Sequence, residues 1–213
     1  MIYLALGDSI TFGENASSLR NAYPQLAISA LNSSSCKATG HVLAKPGWTS
    51  EDLLDAVVWQ SVPLISHASV VSIWIGGVDL AVVALSSFRN QLPLSPTQIA
   101  ANYRRNVRNI ITFIKNESRA RILICTQYNP FPNSPLAAEG IGQLNRVTNE
   151  LARSCGAMTV PVHAWFEGKQ AELIYGYQKG KIEDALSGFL PIHPNDRGHR
   201  VIAEGLLPYL ASC

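Results

Sequence analysis

Two short segments near opposite ends of the chain carry residue types that can perform nucleophilic chemistry. The first is Gly7-Asp8-Ser9-Ile10-Thr11, which closes the apolar run Ile2–Leu6. A serine at that exit falls at a sheet edge, where a substrate can reach its hydroxyl. Gly7 is read as allowing backbone conformations that other residues resist. The competing reading is an ordinary strand-to-helix turn with Ser9 capping the helix. The second segment is Pro191-Ile192-His193-Pro194-Asn195, followed by Gly198-His199. A serine hydroxyl is a poor nucleophile at neutral pH and needs a base within hydrogen-bond reach. Histidine suits that task because its pKa lies near neutrality. His193 lies on a loop ahead of the last helical segment, and Pro194 stiffens that loop. On its own the residue reads equally as a loop histidine donating to a local carbonyl.

The elements that must bring these termini together follow from hydrophobic periodicity. Ile2–Leu6, His41–Ala44, Ser69–Ile75, Arg121–Cys125 and Met158–Val162 read as strands. Ala22–Leu31, a segment capped by Thr49 or Ser50, Pro96 or Thr97 to about Asn116, Ala137–Cys155 and His199–Leu210 read as helices. Glu51 and Asp52 fall in the first turn of the second helix, where the dipole favours them. The strands are near-continuous apolar runs rather than alternating ones, which suits a parallel sheet covered on both faces. The expected architecture is a doubly wound α/β sandwich of three layers with about five mostly parallel strands. In such sheets the working residues lie beyond the carboxyl ends of the strands. Gly7-Asp8-Ser9, Pro46-Gly47 and Gly76-Gly77 all fall at such ends.

Taken together, Gly-Asp-Ser-Ile-Thr at the first strand, Gly47 after the second and His-Pro-Asn-x-x-Gly-His before the last helix resemble the SGNH, or GDSL-type, hydrolases. Order and spacing match along nearly the whole chain, read as one domain over residues 1–213. The resemblance implies a flavodoxin-like sheet, Ser9 as nucleophile, His193 as base, and the N–H groups of Ser9 and Gly47 as oxyanion donors. It implies no metal or organic cofactor, and a small-molecule ester as substrate. No Gly-x-Ser-x-Gly elbow surrounds Ser9, which argues against the ordinary α/β-hydrolase fold. Two positions depart from the family. Its Gly-x-Asn-Asp motif is here Gly76-Gly77-Val78-Asp79, so the oxyanion asparagine is replaced by Val78. Gln127, Asn129 and Asn133 are candidate substitutes. The acid three residues before the histidine is replaced by Leu190. The Leu190 carbonyl is then the expected partner of the imidazole, ahead of Asp184, while Asp8 and Asp79 are expected to buttress loops. The implied activity is hydrolysis of a short or medium acyl ester, an O-acetyl sugar or a thioester. The alternative is an impaired, ligand-binding descendant.

Bulk properties agree with a single folded domain. The 213 residues are 47% hydrophobic and 15% charged, with a net charge of +2, a composition that can fold. Arg104, Arg105 and Arg108 read as one solvated helix face, not a nucleic-acid surface. Cys36, Cys125, Cys155 and Cys213 form no C-x-x-C pair and read as free thiols. His41, His67 and His163 are scattered and read as structural, and His199 as a brace for its loop. Trp48 is the best aromatic candidate for an acyl pocket, ahead of Trp74 and Trp165. The segment Phe166–Phe189 reads either as a helical lid or as a surface helix. The N-terminus lacks the marks of a signal peptide and no apolar run spans a bilayer. The expected location is the cytoplasm, or outside it if a signal peptide has been removed.

Overall fold

A computed structural model describes residues 1–33, 37–81, 96–186 and 190–211. Five strands form one sheet: β1 (Ile2–Gly7), β2 (Thr39–Ala44), β3 (Val70–Trp74), β4 (Arg121–Cys125) and β5 (Met158–Val160). Their spatial order is β2-β1-β3-β4-β5 and every pairing is parallel. The central β3 is buried along its whole length, whereas β2 at the edge is only partly covered. The apolar character of the runs follows that gradient.

Nine α-helices are described outside the stretch that begins at residue 77: α1 (Ser9–Phe12), α2 (Tyr23–Ser33), α3 (Ser50–Gln60), α4 (Val62–Ser66), α5 (Pro96–Glu117), α6 (Pro135–Cys155), α7 (Val162–Phe166), α8 (Gln170–Leu173) and α9 (Asp196–Leu210). Alternate strand residues feed two cores. Leu4, Leu6, Val71, Ile73, Ile122 and Ile124 pack with α3, α5 and α6 through Leu53, Ile110 and Leu151. Tyr3, Ala5, Trp74, Leu123 and Val160 pack with α2 and α9 through Leu31, Ile202 and Leu206. The period of two along each strand thus makes a three-layer sandwich. Strand order reverses between β1 and β3, which opens a crevice above the carboxyl ends of those strands. No described helix is long and apolar enough to cross a membrane.

Several boundaries differ from the sequence expectation for identifiable reasons. The last strand stops at Val160 because Pro161 follows and caps α7. The final helix starts at Asp196, one turn early, because Asn195 caps it by accepting the Gly198 N–H at 3.0 Å. The segment from Phe166 onward is neither a lid helix nor a surface helix. It contains the four-residue α8 and a 3-10 stretch, Ile182–Leu186; Phe189 lies outside the described residues. Its backbone is committed elsewhere: Ile174 bridges antiparallel to Pro194, and the Gly180 carbonyl accepts the Asn133 N–H at 2.8 Å.

Candidate active site

Ser9 stands at the mouth of the β1/β3 crevice. Asp8 caps α1, its Oδ1 accepting the Ile10 N–H at 3.1 Å. Ser9 is therefore the first helical residue and not the cap, which leaves its hydroxyl free for another partner. Its N–H points out of the first turn, where no intrahelical acceptor exists. Gly7 contributes space rather than unusual torsions. A Cβ there would lie 2.2 Å from Thr11 Oγ1 and 2.4 Å from the Trp74 carbonyl oxygen. Gly13, at φ 100°, closes α1 in the left-handed conformation. Gly13 and Glu14 both donate their N–H to the Ser9 carbonyl, at 3.1 and 3.0 Å. The chain is thereby folded back over Ser9.

The C-terminal loop delivers His193 to the same place. Its backbone is pinned from three sides. Tyr175 N–H donates to the His193 carbonyl and Asn195 N–H to the Leu173 carbonyl, both at 2.9 Å. The Tyr128 hydroxyl donates to the Ile192 carbonyl. His193 Nε2 lies 3.0 Å from Ser9 Oγ, and both residues are buried, at 8% and 7% exposure. Nδ1 lies 3.1 Å from Asn15 Oδ1, and Glu14 Oε2 lies 3.6 Å from Nε2. Burial holds the imidazole pKa below its usual value, with the Glu14 carboxylate pulling the other way.

The partner of Nδ1 corrects the sequence reading. The Leu190 carbonyl instead accepts the Ile192 N–H at 2.9 Å. The Asp184 carboxylate accepts the N–H groups of Lys179 and Lys181 at 2.8 and 3.1 Å, closing its own loop. Asn15 went unnoticed in the sequence because it belongs to the turn after the serine motif and not to the histidine motif. Its backbone sits at φ 63°, alone among described non-glycine residues in that region, and asparagine tolerates that conformation better than most residues. His199 braces the same turn from below. Its Nδ1 accepts the Tyr23 N–H at 3.3 Å and its Nε2 meets the Glu14 carbonyl at 3.4 Å. Burial lowers its pKa to about 4. Asp196 accepts the N–H and hydroxyl of Ser17 at 2.8 and 2.6 Å, tying the far end of the turn to α9.

Gly47 occupies the turn after β2. The turn is closed by Trp48 N–H donating to the Lys45 carbonyl at 3.2 Å, and the Cβ side of Gly47 meets nothing within 4 Å. Asp79 accepts the N–H and hydroxyl of Ser50 at 2.9 and 2.5 Å, and Asn106 Nδ2 donates to that hydroxyl at 3.0 Å. The turn after β3 therefore anchors the start of α3, just beyond Gly47. Burial raises the Asp79 pKa. That of Asp8 is pushed up to about 7 by burial, with the Asp79 and Glu14 charges adding to the effect.

The substitutes considered for the missing asparagine differ in availability. Gln127 is held in place: its Nε2 donates to the Ile75 carbonyl at 2.8 Å and its Oε1 accepts the Trp74 indole N–H at 3.1 Å. Asn133 Nδ2 donates to the Lys179 carbonyl at 2.7 Å. Asn129 uses its Oδ1 to accept the Phe131 N–H at 2.9 Å, and its Nδ2 has no acceptor among the described residues. Trp48 is half-buried against the core beneath it, Trp74 is fully buried, and Trp165 covers Gly205 of α9. His67 and His163 bond to the Pro63 carbonyl and to Thr126 Oγ1, at 2.9 and 2.7 Å. Cys125 and Cys155 are free thiols; Cys36 and Cys213 lie outside the described residues. Among the described residues no group of three His, Cys, Asp or Glu side chains could hold a metal ion.

Solved structures with this fold span the chain almost completely. A lipase from a goat rumen metagenome, Lip_vut3, superposes with a TM-score of 0.79 at 21% identity, covering 97% of this chain and 95% of its own. A catalytic mutant of the acetylxylan esterase Axe2 from Geobacillus stearothermophilus gives 0.76 at 18% identity, covering 99% and 94%. A lipase/acylhydrolase from Enterococcus faecalis gives 0.72 at 17%, covering 98% and 94%. No curated protein sequence matches the chain. The profile of the GDSL-like lipase/acylhydrolase family matches residues 5–201, a stretch that runs from within β1 through both Ser9 and His193 into α9. That match, over most of the chain and on a sheet of the same fold, places the protein in the GDSL-like lipase/acylhydrolase family of hydrolases.

Proposed function

We propose that the protein hydrolyses carboxylic esters through an acyl-enzyme on Ser9. The observation that carries this reading is the 3.0 Å contact between Ser9 Oγ and His193 Nε2. In the proposed reaction Nε2 takes the hydroxyl proton as Oγ attacks the ester carbonyl. The tetrahedral oxyanion is met by the N–H groups of Ser9 and Gly47. The imidazolium then returns its proton to the departing alcohol, leaving Ser9 acylated. Water, deprotonated by the same ring, attacks the acyl group, and Ser9 recovers its proton as the acid leaves.

Val78 offers no side-chain donor to this oxyanion. Loss of one such donor costs roughly 3 kcal/mol of transition-state stabilisation, or a hundredfold and more in rate. Two amides therefore carry most of the work, and a modest turnover is expected. The substrate class proposed is a small or medium acyl ester, an O-acetyl sugar or a thioester; lipases and acetylxylan esterases among the similar structures support that range. The test is hydrolysis of short-chain aryl esters, and fluorophosphonate labelling, by wild type and Ser9→Ala. Loss of both in the variant is expected. Equal rates would refute the reading.

A further inference from the structure

His193 lacks an acid in its own loop, yet a histidine base needs three things from its surroundings. The ring must be held in one orientation, its proton must reside on the nitrogen away from serine, and the cation formed during reaction must be compensated. Asn15 and Glu14 are adjacent residues on the turn that folds back over Ser9, and both side chains reach the ring. An amide oxygen can only accept a hydrogen bond. With Asn15 Oδ1 at 3.1 Å from Nδ1, the ring proton is placed on Nδ1. Nε2 then presents a lone pair to the Ser9 hydroxyl at 3.0 Å. An amide carries no charge, so it cannot stabilise the imidazolium as an acid would. The Glu14 carboxylate, 3.6 Å from Nε2, can.

We propose that Asn15 and Glu14 divide between them the work of the missing acid: Asn15 is the positioning residue that orients His193 and selects its tautomer, and Glu14 supplies the compensating charge. The proposal rests on the acyl-enzyme reading above. The turn is built for this placement. Gly13 and Glu14 are bonded to the Ser9 carbonyl, His199 meets the Glu14 carbonyl, and Asp196 holds Ser17. The whole turn is fixed to the elements that carry the serine and the histidine. The ionisable groups around the ring are Glu14 on this turn, His199 on α9 and Asp8 at the cap of α1. His199 is neutral above about pH 5, because burial lowers its pKa to about 4. Asp8 titrates near 7, and the Glu14 charge contributes to that rise, so Asn15→Gly isolates Asn15 while Glu14→Gln is compared in an Asp8→Asn background.

The backbone at φ 63° dictates the test substitutions. Glycine and aspartate both accept that conformation. Asn15→Gly removes the acceptor without straining the chain, and Asn15→Asp keeps the acceptor and adds charge. Kinetics on a short-chain aryl ester should show kcat falling ~100-fold in Asn15→Gly with KM little changed, since an unoriented base forfeits much of general-base catalysis. Asn15→Asp should retain activity, with the acid limb of kcat/KM moved to higher pH by ~1 unit, the effect of a carboxylate beside an imidazole. Glu14→Gln should lower kcat ~2- to 5-fold, as for a partly exposed ion pair, and move the acid limb to lower pH. Nitrogen NMR of His193 should show Nδ1 protonated in wild type, and a tautomer mixture in Asn15→Gly. Unchanged kcat and tautomer in Asn15→Gly would overturn the positioning role. A faster Glu14→Gln enzyme would overturn the charge role. If Asn15→Gly does not fold, Asn15→Asp with no shift of its acid limb decides against the proposal. Each of these failures, with Ser9→Ala still inactive, is distinct from failure of the acyl-enzyme reading, in which Ser9→Ala retains full rate.

Discussion

Replacing Asp8 by asparagine isolates the energetic cost of seating a buried carboxyl group beside Ser9. Asp8 is 3% exposed, and burial pushes its pKa from 3.8 to about 7. Between those values the folded protein keeps a proton that the unfolded chain has released. Stability conferred by Asp8 is therefore complete below pH 3.8 and falls as pH rises, by about 1.4 kcal/mol per unit, until the carboxyl ionises near 7. The full loss is about 4 kcal/mol for a shift of about three units. His199 acts with the opposite sign. Its pKa drops from 6.5 to about 4, so the unfolded chain binds the extra proton and stability rises with pH across that window. In wild type the two effects largely offset each other between about pH 4 and 6.5, which hides both. Asp8→Asn removes one of them. Asparagine caps a helix as well as aspartate does, so the bond to the Ile10 N–H is retained. Urea unfolding of both proteins at half-unit intervals from pH 5 to 8 should show the stability difference growing by about 3 kcal/mol in favour of the variant. Two curves that stay parallel across that range would refute the reasoning.

Two further outcomes follow from the same geometry. Because burial lowers the pKa of His193, the acid limb of kcat/KM on an aryl ester should fall below the ordinary imidazole value of ~6.5, as a pH–rate profile will show. Gly7→Ala places a methyl group 2.4 Å from the Trp74 carbonyl oxygen, so β1 and β3 must part. A loss of about 1–3 kcal/mol, read from the denaturation midpoint, is expected, together with impaired phosphonate labelling of Ser9.

The layered α/β architecture was legible in the chain because each central strand is buried on both faces, so its residues are apolar in an unbroken run. The positions of Ser9 and His193 were legible because both belong to compact motifs at element boundaries, where glycine and proline mark the breaks. Elements without such marks were not. The segment from Phe166 to Leu186 contains good helix formers, but its backbone is drawn into bonds with the His193 loop and the Asn133 turn. Local propensity yields to those tertiary partners.

The sequence by itself determined the strand pattern, the two chemical motifs and the two family positions held by Val78 and Leu190. Tertiary structure alone decided what surrounds the imidazole. Asn15 precedes His193 by 178 residues, and nothing about an asparagine in a turn announces a ring nitrogen beside it. Its place depends on a left-handed backbone, on the reversal of strand order at β1 and β3, and on α9 packing against α2. Contacts between segments so remote in the chain are products of the whole fold, so they cannot be read from any local pattern of residues.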